Sequence, residues 1–490
     1  MNHPVDLREA SDTAIRDWRE REKKAIRLIQ MAGDLRFDRS TEVILFRRTI
    51  YDARPSEVIQ NHLVAYNYIG RAIELETTLS IVAEIASLQE LAPSKIDVGT
   101  LSCQWMTEGE QYADLKDFIH HKLNHFVGDD KDILQHRDVI LYGFGRIGRL
   151  IARRIIEVTG RGDQLRLKAI VIRPQMKDLR QEIEKRMALL MEDSVHGQFH
   201  GTVEIRDDGR EVLINGNRVA IIFASNPTDI DYTEYGIRNG FVIDNTGVWR
   251  DRAGLSQHLR NGIDQVLLTA PGKDVPNIVH GVNQDDFDYD EHKVISAASC
   301  TTNAIVPIIQ KIDESFGIVS GHVETIHAYT SDQNLLDNFH KKPRRGRGAA
   351  INMVLTTTGA ADAVAKVLPH LDGKLTGNAV RVPTPDVSLA IMALTIGKET
   401  TVEEVNGVLR EASLHGELVE QIHYSASDEY VSSHAVGMTT TSVLDAPSTI
   451  VGPDGRTVII YAWYDNEFGY SCQVVRLAKH AARVRRYTYY

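Results

Sequence analysis

The chain has 490 residues with 42% hydrophobic and 25% charged positions, enough to bury large cores in two to four domains and too apolar for disorder. A formal net charge of -11 gives no general attraction to nucleic acid or to anionic membrane. Three cysteines, Cys103, Cys300 and Cys472, are too few for a disulfide framework and fit a reducing compartment.

The opening residues Met1 to Asp6 lack the apolar core of a signal peptide, and no apolar run is long enough to span a bilayer. A cytoplasmic protein is expected. Residues 1–133 read as an all-α accessory domain. Ile15, Trp18, Ala25, Ile26 and Ile29 recur near helical spacing, as core faces do. Arg54-Pro55-Ser56 opens a predicted long helix passing Leu63, Ile73, Leu79, Val82 and Ile85, and Ala92-Pro93-Ser94 stops it. Leu115, Phe118, Ile119, Leu123 and Phe126 form a further stripe, closed by Gly128-Asp129-Asp130. None of these segments carries a catalytic constellation.

From Asp138 the pattern changes. Short apolar strands (138–142, 167–172, 219–223 and 241–244) alternate with helical stretches, which predicts a mainly parallel α/β sheet. After Cys300 the strands lengthen and alternate, which suits an α+β domain with a mainly antiparallel sheet. The expected domains are therefore 1–133, a Rossmann domain at 134–299 completed by 466–490, and a catalytic domain at 300–465.

Gly143-Phe144-Gly145-Arg146-Ile147-Gly148 directly follows the first of these strands and opens a helix. Glycines there permit a tight turn, and the helix start offers free N–H groups to a dinucleotide pyrophosphate. An NAD site usually places an acidic residue at the end of the second strand to hold the ribose hydroxyls. Here that strand ends Val171-Ile172-Arg173-Pro174. An arginine suits a 2′-phosphate, so NADP, or both NADP and NAD, is expected.

The run Ser299-Cys300-Thr301-Thr302-Asn303 sets one thiol among hydroxyl and amide groups, and His327 follows within Thr-Ile-His-Ala-Tyr-Thr. A thiol attacks as its thiolate, and a nearby imidazole is the usual means of forming one near neutral pH.

From about Val139 to Leu477 the chain resembles phosphorylating glyceraldehyde-3-phosphate dehydrogenase. The matching runs are 143–149, Asp-Ser-Val-His-Gly (193–197), Ala-Ser-Cys-Thr-Thr-Asn (298–303), 325–333, Thr-Thr-Gly-Ala-Ala (357–361), Gly-Lys-Leu-Thr-Gly (373–377), Arg-Val-Pro-Thr-Pro (381–385) and Trp-Tyr-Asp-Asn-Glu (463–467). The resemblance implies Cys300 as nucleophile, His327 as base and Asn466 as the residue orienting the nicotinamide carboxamide. It adds Gly143, Gly145, Arg146, Ile147, Gly148, Arg173, Thr246 and Thr269 on the cofactor. Thr330, Asp332 and Arg381 would hold the substrate phosphate. Ser299, Thr301, Thr358, Gly359 and Arg345 would surround the attacking inorganic phosphate. No metal is implied, and a homo-oligomer, usually a tetramer, is. The basic run Lys341 to Arg347 matches a loop beside cofactor and subunit contacts, so a nucleic-acid role is not expected of it.

The chain departs from the family at several positions. Tyr142 stands where Asn is frequent, Ala304 where a second Cys is common, Asn338-Phe339 where NAD-specific members have Leu-Pro, and Leu355 where Pro is usual. Oxidation of erythrose 4-phosphate is the competing enzymatic expectation. A regulatory protein working through the helical extension is the competing expectation of another class.

Overall fold

A computed structural model of the chain describes residues 7–128, 134–206, 209–356 and 359–490. Two units result. The first takes 1–135 together with 160–163 and 485–490, and the second takes the remainder.

In the first unit, helix α1 (Leu7–Arg39) buries Ala25, Leu28, Ala32 and Leu35. Its earlier turns are exposed, with Ile15 at 57% and Trp18 at 40%. Ile15, Trp18 and Ile26, expected as core, therefore face water, while Ala25 and Ile29 do pack inward. The long helix expected from Pro55 is broken. Pro55–Asn61, His62–Ala65 and Tyr66–Ile69 are short turns of helix, and Gly70 ends them at φ 68°. A left-handed residue at that position is a common helix terminator, and glycine adopts it without a Cβ clash. Helix α2 (Leu75–Ser87) then starts afresh, followed by α3 (Val98–Glu108) and α4 (Leu115–Leu123).

The unit is not all-α. A sheet forms from β1 (Glu42–Leu45), β2 (Arg48–Thr49), β3 (Ser94–Asp97) and the C-terminal strand Tyr487–Tyr489, in the order β2-β1-β3-C-terminal strand. Runs of four residues are too short to declare a period of two, and the last strand pairs in parallel with β3 from the far end of the chain. Residues 485–490 thus leave the Rossmann domain to which the sequence reading assigned them. A buried ion trio accompanies this strand: Glu42 accepts from Arg486 Nη1 at 3.1 Å and lies 3.5 Å from Arg36 Nη1. Arg486 supplies a charge-assisted hydrogen bond to the buried Glu42 carboxylate, while the Arg36 contact that would remain is longer. Arg486→Ala is therefore expected to lower the stability of the first unit by about 2 kcal/mol, read from its transition in urea denaturation.

The second unit opens with β4 (Arg137–Tyr142), α5 (Arg146–Val158), β5 (Leu165–Ile172) and α6 (Leu179–Met191). It continues through β6 (Val203–Ile205), β7 (Glu211–Ile214), β8 (Asn217–Phe223), β9 (Gly240–Asp244), β10 (Ile263–Leu268) and β11 (Val294–Ser296). These strands form one sheet ordered β11-β10-β9-β4-β5-β8-β7-β6. The six from β11 to β8 run parallel, and β4 lies between β5 and β9. This is the doubly wound order with its switch point at the carboxyl ends of β4 and β9.

The catalytic half starts at α7 (Cys300–Phe316) and β12 (Ile318–Ala328). It adds β13 (Val354–Thr356), α8 (Ala360–Val367), β14 (Leu375–Val382), β15 (Ser388–Ile396), α9 (Val402–Leu414), β16 (Ile422–Ser425), β17 (Ser442–Asp445) and β18 (Thr457–Tyr464). The sheet runs β13-β14-β12-β15-β18-β17-β16, with most pairs antiparallel and β12–β14 and β16–β17 parallel. Helix α10 (Phe468–Ala481) returns to the Rossmann core, where Tyr470, Val474 and Leu477 join Ile151 and Ile155 of α5.

Candidate active site

The glycine turn after β4 is built for close approach. Gly143 has φ 92°, and a Cβ on Gly148 would collide with the Gly143 carbonyl. A Cβ on Gly145 would meet nothing, so that face is open. Gly145 caps α5 without any side-chain hydrogen bond, leaving first-turn N–H groups for a pyrophosphate. Ile147 packs against the Rossmann core. Thr246 and Thr269 follow the carboxyl ends of β9 and β10. Asp244 fixes Thr246 through its amide (2.7 Å) and hydroxyl (2.6 Å), while Thr269 Oγ1 donates to the Asp244 carbonyl at 3.1 Å. Arg173 is exposed immediately after β5. These features fit a bound dinucleotide. The Arg146 side chain is committed elsewhere: Nη1 donates to Asp193 Oδ2 at 2.6 Å and Nε to Glu467 Oε1 at 2.7 Å. Only its backbone is free to face the cofactor.

Cys300 is the first residue of α7 and packs on both cores of the second unit, at the seam between the Rossmann and catalytic halves. Ser299 caps the helix, its Oγ accepting from the Thr302 amide at 3.1 Å. Asn303 Nδ2 donates to the carbonyls of Ala297 (2.7 Å) and Ser299 (2.9 Å), which holds the turn. Thr301 Oγ1 lies 3.0 Å from the hydroxyl of Tyr464.

His327, at the end of β12, brings Nε2 to 3.6 Å from Cys300 Sγ. The carbonyl of Ala328 is 2.7 Å from Nδ1, nearer than Arg381 Nη1 at 3.0 Å, so we assign the Nδ1 proton to that carbonyl. Nε2 is then bare towards the thiol. Burial pushes the Cys300 thiol up, with Arg381 opposing, and burial together with Arg381 pushes His327 down to about 3. Both shifts favour the uncharged thiol and the uncharged imidazole.

Arg381 is the parallel register partner of His327 on β14. It also donates to the Ala328 carbonyl at 2.8 Å and to Thr330 Oγ1 at 3.3 Å. Thr330 donates to Asp332, which accepts from Arg345 Nη1 at 2.5 Å. Burial raises the Asp332 carboxyl, but the Thr330 hydroxyl and the two guanidinium groups outweigh it and hold the group below its ordinary value. Arg345 Nε reaches Thr356 Oγ1 at 3.1 Å. Gly359 caps α8 with an open face. Thr358 lies outside the described residues.

Asn466 follows β18. Its Oδ1 accepts from Ser388 Oγ at 2.7 Å, and Ser388 Oγ accepts from the Ala328 amide at 3.1 Å. The amide oxygen is occupied, which leaves the NH2 end for a ligand carbonyl. Ser388 was not singled out from the sequence, because hydroxyl residues in strands carry no distinguishing pattern. His196, Tyr464 and Asp465 lay inside quoted runs without an assigned role. The ligand atoms of His196, Asp386 and Asp465 lie within 4.8 Å of one another. Nε2 already sits 3.0 Å from Asp465 and 3.2 Å from Asp386, the arrangement of a charged imidazolium between carboxylates. Burial opposes that charge, but the two carboxylates prevail and push His196 up to about 10.

A parallel doubly wound sheet with a glycine turn at its switch point, joined to a helix-borne thiol facing an imidazole on a second sheet, defines a dinucleotide-binding oxidoreductase. The comparisons with known proteins narrow this. Residues 137–252 match the glyceraldehyde 3-phosphate dehydrogenase NAD binding domain, and 299–466 match the C-terminal domain of the same family. A glyceraldehyde-3-phosphate dehydrogenase-like protein of Pseudomonas aeruginosa (strain UCBPP-PA14) is 47% identical over 462 residues, covering 93% of this chain and 98% of its own length. Glyceraldehyde-3-phosphate dehydrogenases of Geobacillus stearothermophilus and Priestia megaterium are 42% and 41% identical, each over 69% of this chain and 96% of their own. The chain belongs to the glyceraldehyde 3-phosphate dehydrogenase family. The shorter relatives are matched almost whole yet leave nearly a third of this chain uncovered. The coverage of the Pseudomonas protein takes in most of the first unit as well.

Proposed function

We propose that the chain oxidises glyceraldehyde 3-phosphate to an acyl phosphate, or runs the reverse, with NADP or NAD and inorganic phosphate. The observation that carries this reading is the 3.6 Å approach of Cys300 Sγ to His327 Nε2 beside the Arg381–Thr330–Asp332–Arg345 group. When bound, the dinucleotide supplies the hydride acceptor. Cys300 Sγ bonds to the aldehyde carbon, and its proton passes through Nε2 to the carbonyl oxygen. Nε2 takes that proton back as the carbon–hydrogen bond breaks, leaving a thioester on Sγ. Phosphate oxygen then displaces Sγ. Guanidinium forks and hydroxyls suit both anions because each supplies directional donors to phosphate oxygens.

Arg173, exposed where an acidic ribose ligand would stand, supports NADP or dual use. Leu335, Leu336, Phe339, Ile351 and Met353 are all exposed, Phe339 at 88% and Ile351 at 84%. Such a band on one loop supports a homo-oligomeric assembly. No helix among the described residues is long and apolar enough to cross a membrane, and three free cysteines fit a cytoplasmic site.

The test is an assay on glyceraldehyde 3-phosphate and erythrose 4-phosphate, with and without phosphate, using NAD and NADP, beside Cys300→Ala. Phosphate-dependent, Cys300-dependent reduction with the triose is expected. Phosphate-independent turnover of erythrose 4-phosphate would select that reaction instead, and no reduction of either cofactor would refute both.

A further inference from the structure

We propose that His196 is a positioning residue for the nicotinamide end of the site, joining the turn that carries Ser388 to the turn that carries Asn466. The proposal rests on the reading above that Asn466 orients the carboxamide.

Two short turns build that clamp. In the first, Asp386-Val387-Ser388 enters β15 with Val387 at φ 63°, a conformation unfavourable for a β-branched residue. Such a turn persists only where its neighbours hold it. In the second, Asp465 precedes Asn466, and its carboxylate accepts the amides of Gly437 (2.8 Å), Glu467 (2.9 Å) and Phe468 (2.6 Å). Besides the β15–β18 strand pairing, which starts at Ser388 and Tyr464, and the Ser388–Asn466 hydrogen bond, the imidazole of His196 bridges the two turns. Nε2 lies 3.2 Å from Asp386 Oδ2 and 3.0 Å from Asp465 Oδ2.

His196 is itself anchored. Its amide donates to Asp193 Oδ1 at 2.9 Å, and Asp193 is held by Arg146 of the glycine turn. The side chains of His196, Asp386 and Asp465 are all at least nine-tenths buried, so no water screens these contacts. One imidazole therefore ties three pieces together: the pyrophosphate turn, the strained entry to β15, and the residue before Asn466. Loss of the imidazole leaves the Asp386 and Asp465 carboxylates buried close together with no positive group between them, and their repulsion shifts the residue before Asn466. A displaced Asn466 holds the carboxamide less firmly, which allows the nicotinamide ring to present either face. Small displacements of this kind cost rate without removing the reacting groups.

The test uses His196→Gln and the milder Asp386→Asn in the full chain. Each is assayed for kcat and cofactor KM, for the face of nicotinamide C4 that receives label from C1-deuterated glyceraldehyde 3-phosphate, and for alkylation of Cys300 by iodoacetamide without cofactor. His196→Gln is expected to lower kcat about tenfold, to raise cofactor KM, and to place label on both faces, with Cys300 alkylation unchanged. Asp386→Asn should move in the same direction by less. Strict single-face transfer at undiminished kcat in both variants overturns the proposal. So does a parallel fall in alkylation and kcat, which marks a general folding role. If the parent protein reduces no cofactor in a Cys300-dependent way, the functional reading itself fails and takes this proposal with it. Activity in the parent together with strict transfer in the variants refutes the positioning role alone.

Discussion

Cys300→Ala is expected to reduce aldehyde-dependent cofactor reduction to background, a loss of at least about 10⁴-fold, because no other group can form the thioester. The other two cysteines are both buried, Cys103 in the core of the first unit and Cys472 on α10. His327→Asn tests the partner. General base assistance is typically worth about 10²–10⁴-fold, and kcat is expected to fall within that range while substrate binding changes little. The direction of the pH effect follows from the uncharged forms that both shifts favour. Burial raises the Cys300 thiol and lowers His327, so Nε2 stays an available base across the neutral range and thiolate alone becomes abundant only at alkaline pH. Without His327, turnover should therefore climb steadily with pH, whereas the parent should be much flatter between about pH 6 and 8. Stopped-flow reduction measured over that range, with both variants, checks the expectation. An identical pH slope in parent and His327→Asn would remove the imidazole from the proton path.

Arg381→Leu carries the second large effect, because one guanidinium serves two tasks. It donates to Thr330 within the group assigned to the substrate phosphate, and it lies 3.0 Å from His327 Nδ1. Loss of a charge-assisted anchor within a mostly buried group is worth about 3 kcal/mol or more, so kcat/KM is expected to fall about 10²–10³-fold. The same change alters the base. Burial lowers His327 first and Arg381 lowers it further, so deleting the positive charge lets the imidazole bind a proton more readily. The acid limb of the kcat profile should then move to higher pH, while Arg381→Lys should keep most of that limb in place and recover only part of the binding. A fall in kcat/KM with an unmoved limb would confine Arg381 to phosphate binding.

Much of this was legible in the sequence, for reasons that differ by residue. The parallel sheet was readable because its buried strands are short continuous apolar runs such as Val139-Ile140-Leu141 and Ile221-Ile222-Phe223, punctuated by glycine. The cofactor turn was readable because Gly143 and Gly148 answer to local sterics, a positive φ and a carbonyl in contact. Arg146 was read from its place in the motif, and the structure turns its side chain to Asp193 and Glu467 instead. In the first unit the helical stripe from Leu115 to Leu123 was found, yet the helix expected from Pro55 was too long by several turns. A left-handed glycine at Gly70 ends a helix whatever hydrophobic pattern continues past it. The outer turns of α1 mislead in another way: Ile15 and Trp18 have the spacing of a core face, but burial begins only at Ala25.

By itself the sequence determined the glycine turn after the first Rossmann strand, the thiol and imidazole runs offered as nucleophile and base, and the order of the Rossmann and catalytic halves, because each is written in contiguous residues under local steric and chemical constraint. Tertiary structure alone decided that Tyr487–Tyr489 completes a sheet begun at Glu42, that Ser388 occupies the oxygen of Asn466, and that His196 meets Asp386 and Asp465. Those pairings join segments far apart in the chain. Their free energy comes from burial and from hydrogen bonds that exist only after the core has closed, so no local pattern announces them.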